Sequence, residues 1–324
     1  MPAEVPRKPP APIAPDESAP RRLWAIVLAG GEGVRLRPLV WRLHGDERPK
    51  QYAAVVGSRS LLRHTLDRVA LVIPPERTVV ATLRSHARYL AAELGDAAYP
   101  WVLAQPEDCG TAAGVLLPAH WIARRDPGAT VAVFPSDHFV LDERVFMAHV
   151  ADVAGVAVRR RDWIVLLGVE PTEPEVEYGW IEPGEPLDWA ATGPVSRVRR
   201  FWEKPSLETA RDCLKRGCLW NTLVIVARAS TLVAAGRELM PELHARLADV
   251  AAAPGDEEAV AQAYAGAPRA NFSRAILERC PSGLVVSRLP RLAWSDWGTP
   301  RRVFQSLRGA GISAPWLDAF DEPA

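Results

Sequence analysis

The sequence predicts an α/β fold with a doubly wound, mixed but mainly parallel β-sheet that is covered by helices on both faces. Two observations lead to this prediction. Short β-rich segments alternate with helical patterns along most of the 324 residues, which is the order that joins parallel strands through helices. Some β-rich segments, such as 131–134 and 164–167, are apolar at every position, as expected for strands buried on both faces.

The individual elements follow from these patterns. The predicted strands cover residues 23–29, 78–83, 101–104, 130–134, 163–169, 195–202, 220–227 and 284–288. The predicted helices cover residues 61–70, 86–94, 111–124, 143–157, 207–216, 231–239, 241–251, 257–264 and 300–307. We expect Thr299 to be the N-cap of the last helix and Pro300 its first residue. Segment 171–194, rich in Pro, Gly and Glu, is predicted to be a loop over the sheet edge.

The chain divides into a tail and one domain. Residues 1–20 contain seven prolines and no apolar segment, so we expect a disordered or extended tail without a signal peptide. Residues 21–324 show no linker and no internal repeat. We therefore expect them to form a single domain, which the motifs described below indicate to be catalytic.

Composition argues against two classes of partner. The 39 basic and 39 acidic residues give a net charge of +0, which does not support binding to nucleic acid or to a membrane surface. No apolar segment reaches the roughly 18 residues of a membrane-spanning helix.

The four cysteines form no C-x-x-C pair, so we expect reduced thiols in a cytoplasmic protein. The sequence is compatible with a homodimer but does not establish the oligomeric state.

A glycine-rich turn follows the first predicted strand. The turn reads Gly30-Gly31-Glu32-Gly33, and Arg35 comes two residues later. Glycines let backbone N–H groups approach a ligand closely, and a guanidinium adds charge-assisted hydrogen bonds. The turn therefore predicts phosphate binding. A dinucleotide fingerprint would need a third glycine where Leu36 stands, and a Walker A loop would need a Gly-Lys-Ser/Thr tripeptide that is absent.

Two further motifs favour a nucleotide. Lys50, in Arg48-Pro49-Lys50-Gln51, is a compact cation suited to phosphate, and its proximity in sequence to the glycine turn supports that role. Gln105 follows a predicted strand, and Gly110 and Thr111 lie at the start of a helix rich in small residues. Small residues and exposed N–H groups at a helix start suit a flat nucleobase, although simple capping by Thr111 is an equally good interpretation.

Two aspartates are candidate ligands for a divalent cation. Asp137 follows a buried strand in Pro135-Ser136-Asp137-His138, and Asp296 precedes the last helix. A buried carboxylate needs a cation nearby, and two carboxylates with substrate phosphates suit Mg²⁺. The Ser-Asp-His order does not predict a hydrolase triad, because adjacent side chains in an extended chain alternate in direction. A capping role for Asp296 is the simpler alternative.

A third group of residues suits a sugar phosphate. Glu203 can accept hydrogen bonds from sugar hydroxyls, and Lys204 can meet a phosphate. The amide of Asn221 both donates and accepts. A Tyr178-Gly179-Trp180 motif lies between these residues and the aspartate motif.

The ordered set of motifs resembles that of the sugar-1-phosphate nucleotidyltransferases, and within that family the branch that transfers guanylyl groups to mannose-1-phosphate. The motifs that carry the resemblance are the turn at 30–38, Pro49-Lys50-Gln51, Pro135-Ser136-Asp137-His138, Phe201 with Glu203-Lys204-Pro205, and Trp294-Ser295-Asp296-Trp297-Gly298-Thr299. The resemblance implies a Rossmann-like nucleotidyltransferase fold. It also implies GTP and mannose-1-phosphate as substrates, Mg²⁺ as cofactor, and GDP-mannose and pyrophosphate as products of in-line attack on the α-phosphate.

The resemblance also implies a role for each candidate residue. The implied nucleotide-binding residues are Gly30, Gly31, Gly33, Arg35, Lys50, Gln105, Gly110 and Thr111. The implied sugar-phosphate-binding residues are Gly179, Glu203, Lys204 and Asn221. The implied metal ligands are Asp137 and Asp296, and the implied catalytic residues are Arg35, Lys50, Asp137 and Lys204.

Two departures and three alternatives accompany this assignment. The family motif usually continues after Asn221 with a small residue and Gly, whereas Thr222 and Leu223 stand here. We expect this chain to lack the isomerase or β-helix domains that some relatives carry after the last motif. One alternative is uridylyl or thymidylyl transfer to glucose-1-phosphate. The others are a sugar-nucleotide-binding regulatory protein without activity and a nicotinamide-dependent dehydrogenase, against which the missing third glycine argues.

Overall fold

The computed structural model describes residues 22–95, 99–187 and 195–317. The predicted tail at 1–20 lies outside these ranges. The described strands are β1 (Leu23–Leu28), β2 (Thr78–Leu83), β3 (Trp101–Gln105), β4 (Thr130–Pro135), β5 (Phe139–Val140), β6 (Ile164–Val169), β7 (Gly179–Leu187), β8 (Val195–Glu203), β9 (Leu219–Arg228), β10 (Leu284–Arg288) and β11 (Trp294–Ser295). The described helices are α1 (Arg37–His44), α2 (Leu61–Val69), α3 (Ala87–Leu94), α4 (Gly110–Arg125), α5 (Glu143–Arg159), α6 (Leu207–Lys215), α7 (Ala229–Leu239), α8 (Pro241–Ala252), α9 (Glu257–Tyr264) and α10 (Pro300–Gly309).

Within the described ranges, nine strands form one mixed sheet in the order β3-β2-β1-β4-β9-β6-β10-β8-β7. Strands β1 to β4 are parallel to one another, and β10 is parallel to β6. The antiparallel strands are β9, between β4 and β6, and β8, between β10 and β7. The predicted α/β class and the mainly parallel sheet are confirmed.

Helices cover both faces of the sheet. Because neighbouring side chains along a strand point to opposite faces, β1 contributes to the core on each side. Ile26 of β1 packs on the side of α4, α7 and α8. Ala25 and Val27 pack on the other side, with α2 and α5. These side chains are fully buried, which explains why the strand is apolar at every position and why the doubly wound arrangement was predictable.

The prediction of a loop at 171–194 is wrong over residues 179–187. These residues form β7, which pairs with β8 along its length and also with β9 through Trp180 and Trp220. The pairing with β8 is irregular around Pro183 and Pro186, where an edge strand tolerates proline. The proline and glycine content therefore masked a real strand. Residues 188–194 lie outside the described ranges.

Two short antiparallel strands, β5 and β11, form a ribbon separate from the main sheet. Ser295 pairs with Phe139, and Trp294 pairs with Val140. The ribbon joins the turn after β4 to the turn before α10. Helix α10 begins as predicted, with Pro300 in its first turn and the hydroxyl of Thr299 accepting from the N–H of Arg302. None of the helices in the described ranges has the length and apolarity to cross a bilayer.

Candidate active site

A buried glutamine, Gln51, stabilises the glycine turn after β1. Nε2 of Gln51 donates to the carbonyl oxygens of Ala29 at 2.8 Å and Gly31 at 2.9 Å. The Gln51 side chain is buried, so this pair of hydrogen bonds fixes the turn rather than a ligand. Gln51 directly follows Lys50 in the sequence, but its supporting role emerges only from the structure.

Gly33 brings Lys50 against the turn. Gly33 has φ of 61°, in the left-handed region where a side chain is strained. A Cβ at this position would lie 2.8 Å from Cγ of Lys50 and 3.0 Å from its backbone nitrogen. Glycine is therefore required both by conformation and by the close approach of Lys50. The sequence prediction that Lys50 acts together with the turn agrees with this packing.

Three predicted motifs meet at the ammonium group of Lys50. Nζ lies 2.8 Å from Oδ2 of Asp137. It also donates to the backbone carbonyls of Asp296 at 3.1 Å and Trp297 at 3.4 Å. The ribbon of β5 and β11 makes this convergence possible, and the ring of Trp297 stacks on that of Phe139 at 5.1 Å. Lys50 thus links the carboxylate of Asp137 and the backbone of Asp296 to the glycine turn, against which its own side chain packs.

The carboxylate of Asp296 is held by three donors. Its Oδ1 accepts from the hydroxyl of Tyr178 at 2.8 Å, from the N–H of Gly298 at 2.9 Å and from Nη1 of Arg302 at 2.9 Å. Nη1 of Arg302 also lies 3.0 Å from Oδ2. Burial by itself would raise the pKa of Asp296, but Arg302 and then Lys50 lower it below its usual value. Asp296 is therefore ionised at neutral pH.

Arg302 is a functional residue that the sequence analysis missed. Its side chain is 11% exposed and forms ion pairs with Asp296 and Glu175, and its guanidinium lies 4.3 Å from the centre of the Tyr178 ring. Burial lowers the pKa of Arg302, but Asp296, Tyr178 and Glu175 together raise it above its usual value. One signal was available: an arginine in the first turn of a helix opposes the helix dipole and so needs an anionic partner.

Binding of Mg²⁺ by Asp137 and Asp296 stays a prediction, and each carboxylate has one oxygen with fewer partners than the other. Asp137 uses Oδ2 for Lys50, while its Oδ1 has a 4.0 Å contact with Nε2 of His138. Asp296 uses Oδ1 for three donors and Oδ2 for one, so Oδ2 is the better placed oxygen. Among the described residues no group of three or more His, Cys, Asp or Glu forms a metal cage. Mg²⁺ commonly takes one or two carboxylates and completes its shell with phosphate and water.

Three of the predicted sugar-phosphate residues lie next to one another at the start of β7. Gly179 of β7 pairs with Glu203 of β8. A Cβ on Gly179 would lie 3.1 Å from Oε2 of Glu203 and 3.2 Å from Cβ of Asn221, so these three residues are neighbours. Burial raises the pKa of Glu203, and Asn271 donates to its Oε1 at 3.1 Å.

The departure after Asn221 has a structural consequence. Leu223 has φ of 57°, which is the left-handed region that glycine occupies without strain. Its N–H donates to Oδ1 of Asn221 at 3.2 Å. Leucine therefore keeps the backbone turn that glycine would favour, and the turn fixes the orientation of the Asn221 amide.

Lys204 and Arg35 approach the cluster from different elements and meet at Glu177. Nζ of Lys204 lies 3.2 Å from Oε2 of Glu177, and Nη1 of Arg35 lies 2.7 Å from the same atom. Lys204 has φ of 51°, a conformation that costs energy outside glycine. Glu177 was also missed in the sequence, because an acidic residue in a Pro- and Glu-rich segment is typical of a solvated loop.

Of the predicted nucleobase residues, Gln105 lies beside the glycine turn. Gln105, which is buried, accepts from the Tyr264 hydroxyl at 3.1 Å, and its Nε2 would lie 3.8 Å from a Cβ on Gly30. The capping alternative for Thr111 is wrong, because α4 begins at Gly110 and the Thr111 hydroxyl accepts from the N–H of Phe272 at 2.9 Å.

Gly110 has φ of 81° and packs tightly against Ala270, so a side chain at this position would be strained and would clash. The N–H of Gly110 donates to Oδ1 of Asp108 at 2.8 Å. Both features give Gly110 a structural role. Contact of Gly110 or Thr111 with a base stays a prediction.

Comparisons with known proteins agree with this site. The profile of the nucleotidyl transferase family matches residues 24–309. The xanthan biosynthesis protein XanB of Xanthomonas campestris pv. campestris (strain B100) is 32% identical over 284 residues, covering 85% of this chain and 57% of XanB. A mannose-1-phosphate guanylyltransferase of Sinorhizobium fredii is 31% identical over 310 residues, covering 91% of this chain and 56% of that protein. The chain thus spans a little over half the length of these curated relatives.

Solved structures share the fold. A structure described as a mannose-1-phosphate geranyltransferase from Thermus thermophilus matches with a TM-score of 0.75 and 30% identity, covering 91% of this chain and 80% of that one. A putative glucose-1-phosphate thymidylyltransferase from Bacillus anthracis matches with a TM-score of 0.57 at 15% identity, covering 91% of this chain and 99% of that one, which supports the fold alone. The resemblance to sugar-1-phosphate nucleotidyltransferases is confirmed, and the chain belongs to the nucleotidyl transferase family.

Proposed function

We propose that the protein transfers a guanylyl group from GTP to mannose-1-phosphate, which gives GDP-mannose and pyrophosphate. The observation that carries this proposal is the position of Lys50. Its ammonium touches the carboxylate of Asp137 and the backbone of Asp296 while its stem packs on Gly33. A phosphate-binding turn, a cation and two carboxylates thus lie in one cluster, which is the arrangement that phosphoryl chemistry requires.

Different residues of the chain bind the triphosphate, neutralise charge on the leaving group and bind the sugar phosphate. Gly30, Gly31 and Gly33 offer backbone N–H groups to the triphosphate, and Arg35 and Lys50 neutralise charge on the leaving pyrophosphate. Lys204 draws in the mannose-1-phosphate against the repulsion between two anions. A phosphate oxygen of the sugar phosphate then attacks the α-phosphorus in line, and the bond from that phosphorus to the bridging oxygen breaks. Positioning and charge neutralisation are the protein's contribution, and no covalent intermediate is needed.

Asp137 and Asp296 would hold the Mg²⁺, whose chemistry is charge neutralisation on phosphate oxygens and Lewis acidity at the α-phosphate. Arg302 and Lys50 favour the ionised form of Asp296 by lowering its pKa, and Tyr178 and Arg302 fix the direction of its carboxylate. The ion pair with Lys50 fixes the direction of the Asp137 carboxylate. Both carboxylates are therefore oriented before a substrate arrives, as preorganised sites require.

The assignment of GTP and mannose-1-phosphate rests on named relatives. Curated relatives named mannose-1-phosphate guanylyltransferase match across 85% or more of this chain at 28–31% identity. A regulatory protein without activity is disfavoured, because the described residues retain both aspartates and all three predicted phosphate-binding cations in one cluster.

A substrate panel tests the proposal. Pyrophosphate release is measured with GTP, UTP and dTTP against mannose-1-phosphate, glucose-1-phosphate and N-acetylglucosamine-1-phosphate, with and without MgCl₂. We expect release with GTP and mannose-1-phosphate, dependent on Mg²⁺. Release that is faster with UTP or dTTP and glucose-1-phosphate would replace the guanylyl assignment, and no release from any pair would refute the proposed activity.

A further inference from the structure

Glu177 lies between two cations that are assigned to different substrates. Its Oε2 contacts Nη1 of Arg35 at 2.7 Å and Nζ of Lys204 at 3.2 Å. Arg35 follows the glycine turn and is assigned to the triphosphate, whereas Lys204 follows β8 and is assigned to the sugar phosphate. Since both contacts end on one oxygen atom, the guanidinium and the ammonium are close neighbours. Two cations placed in this way suit the adjoining phosphates that the proposed reaction brings together.

The position of Glu177 is set by its surroundings. Its backbone N–H donates to Oε1 of Glu175 at 2.8 Å, and Glu175 in turn pairs with Arg302, which holds Asp296. The backbone of Glu177 is thus tied to the same cluster as the candidate metal ligands. Arg35 lies near that cluster, because a Cβ on Gly298 would lie 3.2 Å from its Nη2.

The two ion pairs are stable enough to form and weak enough to exchange. The side chains of Arg35, Glu177 and Lys204 are 47%, 43% and 44% exposed. Ion pairs at this exposure contribute little, because water and salt screen them. A phosphate carries more charge than a carboxylate and offers more acceptor oxygens. A substrate phosphate can therefore replace Glu177 at either cation.

On the basis of the proposed function, we propose that Glu177 is a positioning residue that stands in for a substrate phosphate and couples the occupancy of the two phosphate sites. When the triphosphate binds Arg35, Glu177 loses one of its two partners. Only the ion pair with Lys204 then keeps the Glu177 carboxylate in place. The sugar phosphate then displaces it at lower cost. Because coupling between two binding equilibria is reciprocal, the sugar phosphate favours the nucleotide by the same factor.

Inorganic pyrophosphate tests the stand-in role without assuming a base or a sugar. Calorimetric titration of the full chain is expected to show about 3- to 10-fold tighter binding of pyrophosphate to Glu177→Gln than to the wild type, since two exposed ion pairs no longer compete. Glu173→Gln is the matched control. It makes the same charge change on the same segment, and Glu173 takes part in none of the ion pairs within the described ranges. Equal affinity in the two variants would overturn the stand-in role.

The coupling is measured with mannose-1-phosphate and a GTP analogue that has a methylene group between the α- and β-phosphates, so that no transfer occurs. For the wild type we expect mannose-1-phosphate to bind about fivefold more tightly in the presence of the analogue. For Glu177→Gln we expect a ratio close to one. In turnover, the variant should show lower KM for both substrates with little change in kcat, a split that a purely structural role does not produce.

The outcomes separate this inference from the proposed function. Normal turnover together with equal coupling in the wild type and Glu177→Gln overturns the role of Glu177 and leaves the proposed function standing. Absence of turnover with every pair of the substrate panel overturns the proposed function and the coupling with it. Thermal unfolding at the wild-type temperature confirms that the variant is folded.

Discussion

Nζ of Lys50 lies 2.8 Å from Oδ2 of Asp137, and both side chains are largely buried, at 13% and 22% exposure. A cation assigned to the triphosphate and a carboxylate assigned to the metal therefore neutralise each other in the absence of substrate. The pair keeps both groups in place. It also means that substrate and Mg²⁺ have to share these two groups once they bind.

Asp137→Asn tests the carboxylate directly. The amide keeps the size of the side chain and an acceptor for Lys50, but it removes the negative charge that a cation needs. We expect turnover in saturating GTP, mannose-1-phosphate and MgCl₂ to fall at least about 100-fold, the scale of losing one oriented electrostatic group. Pyrophosphate release is the measurement, and urea unfolding checks that stability is retained. Near-normal turnover would remove Asp137 from the metal site.

Gly33→Ala tests the contact between the glycine turn and Lys50. The added Cβ meets Lys50 at 2.8 Å and is strained at φ of 61°, so Lys50 has to move. We expect KM for the nucleotide to rise about 10-fold, equivalent to about 1.4 kcal/mol of lost binding.

Gly31→Ala is the companion variant, because a Cβ there meets no atom within 4 Å. Any loss in Gly31→Ala has to come from the bound ligand. If Gly33→Ala binds nucleotide as the wild type does, the turn does not position Lys50 for phosphate.

Arg302→Met tests the cation that holds Asp296. The variant leaves the carboxylates of Asp296 and Glu175 partly buried without their partner, and breaking a buried pair in this way costs about 3 kcal/mol. We expect a loss of stability of that size in urea unfolding, together with lower turnover. Arg301→Met is the matched control on the same helix, where the side chain is exposed and the change should stay within about 0.5 kcal/mol. Equal stability of the two variants would contradict this role for Arg302.

His149 predicts a pH dependence of stability that is separate from the active site. Burial lowers the pKa of His149 to about 4, and its Nε2 lies 3.0 Å from Oγ of Ser287. The pKa in the unfolded chain is about 6.5, so between these values the unfolded state binds more protons. Stability therefore falls as the pH drops from about 6.5 towards 4.

The variant His149→Gln isolates this effect. We expect it to lose about 1 kcal/mol less stability than the wild type when the pH is lowered from about 7.5 to 5.5. Urea unfolding at both pH values measures the difference, and buried histidines common to both proteins cancel. Parallel pH profiles for the two proteins would show that His149 is protonated as easily in the folded chain as in the unfolded one.

The strands of the main sheet other than β7, and the glycine turn, were predictable because their signals are local. An apolar run such as 23–29 reports burial on both faces, and the glycines after it report a turn. Helix α1 escaped prediction although it carried local signals: Pro38 stands in its first turn, and Gly45 ends it with φ of 72°, as helix-ending glycines do.

The charged network around Asp296 was not predictable from local pattern. Arg302 was visible in the sequence, but Glu175 and Glu177 lie in a segment whose composition resembles a solvated loop. Their partners come from other parts of the fold. The strands β5 and β11, two residues each, are too short to produce an alternating pattern, yet they bring the two aspartates together.

The ribbon of β5 and β11 also decides when during synthesis the protein becomes competent. A nascent chain leaves the ribosome from its N-terminus, so Lys50 and Asp137 emerge well before Trp294, Ser295 and Arg302. Until the second half of the ribbon is translated, Asp137 lacks the neighbour with which it is proposed to share a cation. Assembly of the proposed site is therefore a late event in biosynthesis, completed only after all nine described strands of the main sheet have been translated.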